Sequence, residues 1–261
     1  MDLNLAGKTA LVMASSQGLG KAVATELVRE GTNVMISSRN TEKLRKVQEE
    51  LNAIGKGKVS FYPADITKKE DIQQLVKETK RVFGSIDILI NNAGGPPTGS
   101  FEEFSDEDWE NSFQLNLLSY IRAIREVLPD LKENGGKIIN IASSSIKQPI
   151  SGLILSNTFR LGVLGLSKTL AEELGPYNIL VNTVAPGRIA TDRIAMLDEI
   201  IAKKQNVSKE EIAKKTQESI PLGRYGTPEE FAKFVVFLVS DVNSYVTGSA
   251  LMIDGGSVKA I

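Results

Sequence analysis

An alternation of short aliphatic runs with amphipathic stretches constrains the fold of this chain more than any other feature. Six or seven of the runs are nearly continuous apolar segments, which are typical of strands buried on both faces of a parallel sheet. Strand and helix repeated in this order give right-handed crossovers and helices on both faces of the sheet. The sequence therefore predicts an α/β fold, a doubly wound parallel sheet in a single domain over residues 1–261. The predicted strands are residues 9–13, 33–37, 59–62, 86–90, 137–141, 179–184 and 250–253.

Two helix starts are marked by polar side chains at a fixed spacing. Ser105 with Asp108, and Thr227 with Glu230, have the spacing of capping boxes, which predicts helices beginning just after Ser105 and Thr227. Pro228 suits the first position of the second helix.

One irregular insert, residues 192–220, interrupts the regular alternation. It carries two short amphipathic pieces separated by a polar break at Asn206. Because the insert leaves from a loop at the end of a predicted strand, we predict that it is a helical lid over a substrate crevice.

The composition excludes several kinds of chemistry. The chain has no Cys and no His, which removes disulfides, thiolate nucleophiles and the commonest metal ligands, and we expect no metal site. Any proton must come from Tyr, Lys, a carboxylic acid or water. Lys and Arg number 31 against 32 Asp and Glu, so no net charge favours nucleic acid or an anionic membrane. A small molecule or a protein is the expected partner.

The sequence also predicts a cytoplasmic protein. Residues 1–5 carry no basic segment followed by an apolar one, as a signal peptide would. The most apolar stretch, residues 153–166, is interrupted by Arg160 and is shorter than the ~20 residues needed to span a bilayer.

Polar motifs follow several predicted strands. Residues 14–20 follow the first strand, open a helix and include Gly18 and Gly20, so they form either a phosphate-binding turn or an ordinary tight turn. Asp65 follows the third strand, residues 91–94 follow the fourth, and residues 186–191 follow the sixth. The carboxyl ends of the strands are where open α/β sheets bind ligands.

With these motifs in this order, the sequence resembles the short-chain dehydrogenase/reductase family, and within it the 3-oxoacyl-[acyl carrier protein] reductases. The resemblance runs from Leu5 to the terminal Asp254-Gly255-Gly256 and implies a Rossmann-type NAD(P)-binding domain and a carbonyl or alcohol substrate, small or acyl-type. It implies an adenine contact from Asp65 and a nicotinamide contact near Ile189 and Thr191. The cofactor-binding residues that it implies are Ala14, Ser16, Gln17, Gly18, Leu19, Gly20, Ser38, Arg39, Asp65, Ile66, Asn92, Ala93, Gly94, Pro186, Gly187, Ile189 and Thr191.

The sequence departs from the family at the first loop and at the catalytic group. Ala14 replaces the first loop Gly, and a Cβ at that position is expected to require a negative φ. The family's catalytic Asn and Ser match Asn116 and Ser143, although Asn116 suits a buried core amide equally well. An ungapped alignment then places Ser156 and Arg160 at the family's Tyr and Lys positions. Arg160 could bind the nicotinamide ribose, but a guanidinium is a poor proton donor.

The region after the second strand bears on the choice of cofactor. Ser38 and Arg39 stand where an acidic residue would bind the adenosine 2′-hydroxyl of NAD(H). Arg39 suits a 2′-phosphate, which favours NADP(H) over NAD(H), although a merely solvated Arg39 is the alternative.

Three functions are compatible with this sequence. The first is an NADP(H)-dependent oxidoreductase with an atypical or impaired proton donor, and the second is a non-catalytic dinucleotide-binding sensor or partner protein. The third is elimination or isomerisation on the same scaffold, because a fold does not fix a function. The helix around residues 153–164 is apolar on nearly all sides, which predicts a homo-oligomer, a tetramer or a dimer.

Overall fold

A seven-stranded parallel sheet organises the chain in a computed structural model that describes residues 2–260. The strand order is β3-β2-β1-β4-β5-β6-β7, and every pair is parallel. The predicted α/β class and doubly wound sheet are thus confirmed. The strands are β1 (Thr9–Val12), β2 (Asn33–Ser38), β3 (Val59–Pro63), β4 (Ile88–Asn91), β5 (Gly136–Ile141), β6 (Ile179–Pro186) and β7 (Ala250–Ile253).

Nine α-helices connect or follow the strands in the described part of the chain. They are α1 (Gly18–Arg29), α2 (Thr41–Asn52), α3 (Lys69–Phe83), α4 (Asp106–Phe113), α5 (Ser119–Asn134), α6 (Ile154–Leu174), α7 (Asp192–Gln205), α8 (Lys209–Ser219) and α9 (Pro228–Val239). A π-helical segment, Gln114–Leu118, joins α4 to α5. None of these helices is long and apolar enough to cross a membrane.

The sheet separates two hydrophobic cores because successive side chains of a strand point to opposite faces. In β1, Ala10 and Val12 face the core formed with α1, α2 and α9, whereas Leu11 faces the core formed with α3, α5 and α6. Burial on both faces accounts for the nearly continuous apolar runs in the sequence.

Local signals set several helix ends as predicted. The Ser105 hydroxyl accepts from the backbone N–H of Asp108, the Thr227 hydroxyl accepts from that of Glu230, and both capping boxes are complete. Strand bounds were predicted less well. The fourth strand begins at Ile88 rather than Ile86, because the Ile86 N–H donates to the Asp130 side chain at 3.1 Å instead of joining the sheet.

The insert at residues 192–220 forms two helices, α7 and α8, as its pattern predicts. Asn206 ends α7 in the left-handed conformation, and Ser208 caps α8. Asp198 on α7 is buried, and its carboxylate accepts from Arg188 Nη1 at 3.1 Å and from the Tyr225 hydroxyl at 2.9 Å. These bonds hold α7 to the loop after β6 and to the segment before α9, and lid motion stays a prediction.

Candidate functional site

A cleft of about 780 Å³ lies at the carboxyl ends of the strands. The strand order reverses between β1 and β4, so the chain leaves these neighbours toward opposite faces of the sheet and a crevice forms between them. Every residue predicted to bind the cofactor lines the cleft except Gly20. Ser143, Ser156 and Arg160 also line it, whereas Asn116 does not.

The N-terminus of α1 presents unpaired N–H groups to the cleft. The side chain of its N-cap residue, Gln17, makes no capping hydrogen bond, and Gly18 and Leu19 line the cleft. Free N–H groups and the positive end of a helix dipole together suit an anion such as a phosphate. Gly20 serves the packing of the turn instead, because a Cβ there would lie 2.5 Å from the Ala14 carbonyl oxygen.

Ala14 adopts a conformation that was not expected from the sequence. Its φ is +47°, so the expectation of a negative φ was wrong. The left-handed conformation costs an L-residue about 1–2 kcal/mol. The turn keeps it because the Ala14 carbonyl accepts from Asn92 Nδ2 at 3.0 Å, which ties the loop after β1 to the loop after β4. The loop after β1 therefore has a glycine-type conformation without a glycine at this position.

One end of the cleft, between β2 and β3, carries two cations. Arg39 is exposed there and makes no hydrogen bond or ion pair with the residues described, and Lys43 on α2 donates to Gln17 Oε1 at 2.9 Å. Burial raises the pKa of Asp65, but hydrogen bonds from the Thr67 side chain and backbone outweigh it, with help from the charge of Arg39. The pKa of Asp65 therefore lies below its usual value, and the carboxylate is ionised at neutral pH.

The other end carries Ser143, Ser156 and Arg160. Ser143 follows β5, is half-buried, and accepts from the N–H of Ser145 at 3.2 Å. Ser156 and Arg160 are one turn apart on α6, so they share a helix face, and both are buried. No Tyr side chain lines the described cleft, and its one Lys, Lys43, lies at the far end.

Arg160 is anchored to protein oxygens at the base of the cleft. Its side chain is only 5% exposed, and Nη1 donates to the Tyr120 hydroxyl at 2.8 Å and to the Ile141 carbonyl at 2.7 Å. Nη2 donates to the Ala93 carbonyl at 3.3 Å. No carboxylate among residues 2–260 forms an ion pair with it. This contact could not be predicted from the sequence, because Tyr120 and Arg160 are 40 positions apart.

Asn116 lies behind the cleft wall, in the π-helical segment. It is fully buried, and its Nδ2 donates to the Gly94 carbonyl at 2.8 Å, whereas its Oδ1 has no partner in the described structure. π-Helical segments are frequent at functional sites. The bond to Gly94 braces the loop after β4, and a part in proton transfer stays a prediction.

Two further basic residues of the cleft were missed from the sequence. Lys43 lies four positions after Arg39, and Arg193 lies two positions after Thr191. Each could have been proposed as a cleft residue because it lies so close in sequence to a predicted site residue. Arg193 Nη2 donates to the Pro96 carbonyl at 2.7 Å.

Comparison with known proteins gives consistent matches over the whole chain. A family model described as enoyl-(acyl carrier protein) reductase matches residues 13–258. The 3-oxoacyl-[acyl-carrier-protein] reductase FabG of Aquifex aeolicus (strain VF5) is 36% identical over 98% of this chain and 99% of the relative. The NADPH-dependent reductase BacG of Bacillus subtilis (strain 168) is 33% identical over 97% and 99%. The crystal structure of L-sorbose reductase from Gluconobacter frateurii, complexed with NADPH and L-sorbose, matches with a TM-score of 0.95 at 30% identity over 100% of both chains.

Proposed function

Because the chain belongs to the short-chain dehydrogenase/reductase family of oxidoreductases, we propose that it transfers hydride between NADP(H) and a carbonyl compound or the corresponding alcohol. One observation carries the proposal: a single cleft joins the cationic end at Arg39 and Lys43 to the hydroxyl-bearing end at Ser143 and Ser156. A dinucleotide and its substrate need such a continuous crevice. We expect a substrate of the 3-oxoacyl type, as in the named activity of the Aquifex relative.

The residues present fit a bound dinucleotide. The uncapped N-terminus of α1 would hold the pyrophosphate, Asp65 the adenine, and the loop at residues 186–191 the nicotinamide. NADP(H), when bound, supplies or accepts the hydride. The positive φ of Ala14 supports this assignment, because it keeps the loop after β1 in the conformation of a nucleotide-binding turn.

The charges at the cationic end favour NADP(H) over NAD(H). Arg39 and Lys43 offer donors to a phosphate, and Ser38 stands where an acidic residue would select the 2′-hydroxyl. The Bacillus relative is named as NADPH-dependent, and the L-sorbose reductase was crystallised with NADPH.

The proton that accompanies the hydride has an unusual source in this proposal. Burial raises the pKa of Tyr120, an effect that the charge of Arg160 opposes only in part, and the phenol donates its hydrogen to the Ile141 carbonyl. Tyr120 also lies outside the cleft lining, so it is not placed to donate a proton to the substrate. Arg160 is not a suitable donor, because guanidinium groups in proteins are not deprotonated. The proton therefore comes from water, relayed by the hydroxyl of Ser143 or Ser156.

The same features favour a second candidate, a dinucleotide-binding protein with little or no turnover. Arg160 already donates hydrogen bonds to three protein oxygens. Ser156 has a shorter side chain than a tyrosine and is a weaker acid than a phenol. Loss of a positioned general acid lowers a rate by about 10² to 10⁴-fold.

The two candidates are separated by binding and turnover measured on the same preparation. NADPH and NADH are titrated calorimetrically, and a panel of 3-oxoacyl esters and ketones is then tested for NADPH oxidation. We expect slow reduction that falls further in Ser143→Ala but not in Ser151→Ala, because Ser151 is exposed and lies outside the cleft. Tight NADPH binding without oxidation by any carbonyl would favour the second candidate.

The oligomeric state and the location belong to the proposal as well. Leu161 on the outer face of α6 is 53% exposed and Phe113 is 38% exposed, so this face needs cover from a second copy. We propose a homo-oligomer, a tetramer or a dimer, in the cytoplasm. Sedimentation that detects only monomer at micromolar concentration would exclude the oligomer.

A further inference from the structure

Two guanidinium groups flank one short backbone segment at the hydroxyl-bearing end of the cleft, where Ser143 and Ser156 lie. Arg160 donates to the Ala93 carbonyl at 3.3 Å, and Arg193 donates to the Pro96 carbonyl at 2.7 Å. Three residues of extended chain span at most about 10 Å, so these two anchor points lie close together. The Arg193 side chain also packs against Gly95, where an added Cβ would lie 3.0 Å from its Nε and Nη2. Both arginines line the cleft.

Neither arginine has a carboxylate partner in the described chain. Neither forms an ion pair, although nine ion pairs link other residues of the described chain. Asp192 lines the same end of the cleft, but it is exposed and bonds to neither group. A cation removed from water without an opposite charge is costly, so an uncompensated pair of this kind is a place where an anion gains stabilisation.

Arg193 has the free donors for such an anion. A guanidinium has five N–H groups, and Arg193 uses one of them, at Nη2, on the Pro96 carbonyl. Nη2 keeps a second N–H, and together with the neighbouring N–H of Nε or Nη1 it can form a two-point bond to paired oxygens. Burial lowers the pKa of Arg193, and the charge of Arg160 lowers it further, so the two cations interact unfavourably until an anion lies between them.

We propose that the substrate carries an anionic oxygen group, a carboxylate or a phosphate, that binds Arg193 within the positive field of Arg160. This inference rests on the proposed function for the carbonyl, but the anion contact can be measured without turnover. Arg193 is a specificity-determining residue in this account, and it lies on α7, the first helix of the lid.

The turnover test compares substrates that carry the anionic group with matched neutral substrates. Acetoacetate is compared with methyl acetoacetate, and dihydroxyacetone phosphate with dihydroxyacetone, at saturating NADPH. We expect kcat/KM for one anion to exceed that of its neutral partner by about 10- to 100-fold, the range for charge-assisted bonds. The pair that shows the larger ratio identifies the anionic group of the substrate as a carboxylate or a phosphate. The ratio should fall toward one in Arg193→Met, recover in part in Arg193→Lys, and stay unchanged in Arg81→Met, whose side chain is exposed on α3.

A binding test separates this inference from the proposed function. Malonate, inorganic phosphate and dimethyl malonate are titrated calorimetrically with and without NADPH. An anion that binds the parent protein, but not Arg193→Met, supports the inference even if no carbonyl is reduced. Equal kcat/KM for charged and neutral substrates, with no anion binding, overturns it while leaving the reductase intact. A loss of NADPH affinity in Arg193→Met with an unchanged substrate ratio also overturns it, because Arg193 would then serve the cofactor.

Discussion

Replacing Tyr120 by Phe removes one hydroxyl group from the buried contact beneath Arg160. The Tyr120 hydroxyl donates to the Ile141 carbonyl at 2.8 Å and accepts from Arg160 Nη1 at 2.8 Å. Phe keeps the ring, so the packing of α5 against the sheet is retained. The variant therefore measures what these two hydrogen bonds contribute to the fold and to the position of Arg160.

The two bonds differ in strength. The bond to the Ile141 carbonyl is neutral and contributes about 1 kcal/mol net, whereas the bond from a buried guanidinium contributes about 1.5–3 kcal/mol. Arg160 Nη1 keeps its bond to Ile141 in the variant, which limits the loss. We expect Tyr120→Phe to lower the free energy of unfolding by about 2–4 kcal/mol. For a chain of this size that is a fall in Tm of roughly 4–16 °C.

Urea unfolding followed by tryptophan fluorescence provides the assay. The chain has one tryptophan, Trp109, whose ring packs against Phe159 of α6 at 5.8 Å between centroids. The matched control is Tyr245→Phe, because Tyr245 is 96% exposed, and its free energy of unfolding should change by less than about 0.5 kcal/mol. Both variants are measured at one protein concentration, since oligomerisation shifts apparent stability. If Tyr120→Phe loses no more stability than the control, the Tyr120–Arg160 contact does not support the fold.

The remaining predictions concern the two ends of the cleft and the lid. Replacing Arg39 and Lys43 together by Ala should weaken NADPH binding about 10- to 100-fold more than NADH binding in calorimetric titrations; equal losses would show that these cations do not bind the 2′-phosphate. Combining Ser156→Tyr with Arg160→Lys should raise single-turnover reduction of a β-ketoester by about 10² or more, with neither single change sufficient. Parent turnover of ~10 per second, typical of enzymes, would contradict that reasoning. In hydrogen exchange, amides of residues 209–219 should exchange faster than those of residues 192–205, because the buried ion pair of Asp198 lies on the first helix of the insert. Ligand binding should slow the exchange of residues 209–219. Uniformly slow, ligand-independent exchange in both helices would exclude a moving lid.

Much of the fold could be predicted because its determinants are local. Apolar runs specify strands, and a polar cap such as Ser105 or Thr227 specifies a helix start within three residues. The start of β4 could not be predicted in this way. It depends on the hydrogen bond from the Ile86 N–H to Asp130, a residue that lies 44 positions away on α5.

The candidate site could likewise be predicted only where its determinants are local in the sequence. All of the predicted cofactor-binding residues except Gly20 line the cleft, since parallel strands bring their carboxyl ends to one edge of the sheet. The partners of Arg160 could not be predicted, because Tyr120, Ile141 and Ala93 meet it only in the folded chain. The φ of Ala14 was predicted wrongly because the preference of an isolated residue was weighed without the Asn92 bond that holds the turn.

Hydride transfer from labelled cofactor would show directly whether the protein reduces a carbonyl compound with NADPH. The protein is incubated with excess 3-oxoacyl ester and NADPH that carries deuterium at both positions of the reactive nicotinamide carbon, and the product alcohol is analysed by mass spectrometry. We expect one deuterium in each product alcohol, formed at the rate of NADPH oxidation, and less labelled product in Ser143→Ala. Product without deuterium, or NADPH that binds and is never oxidised across the carbonyl panel, would contradict it.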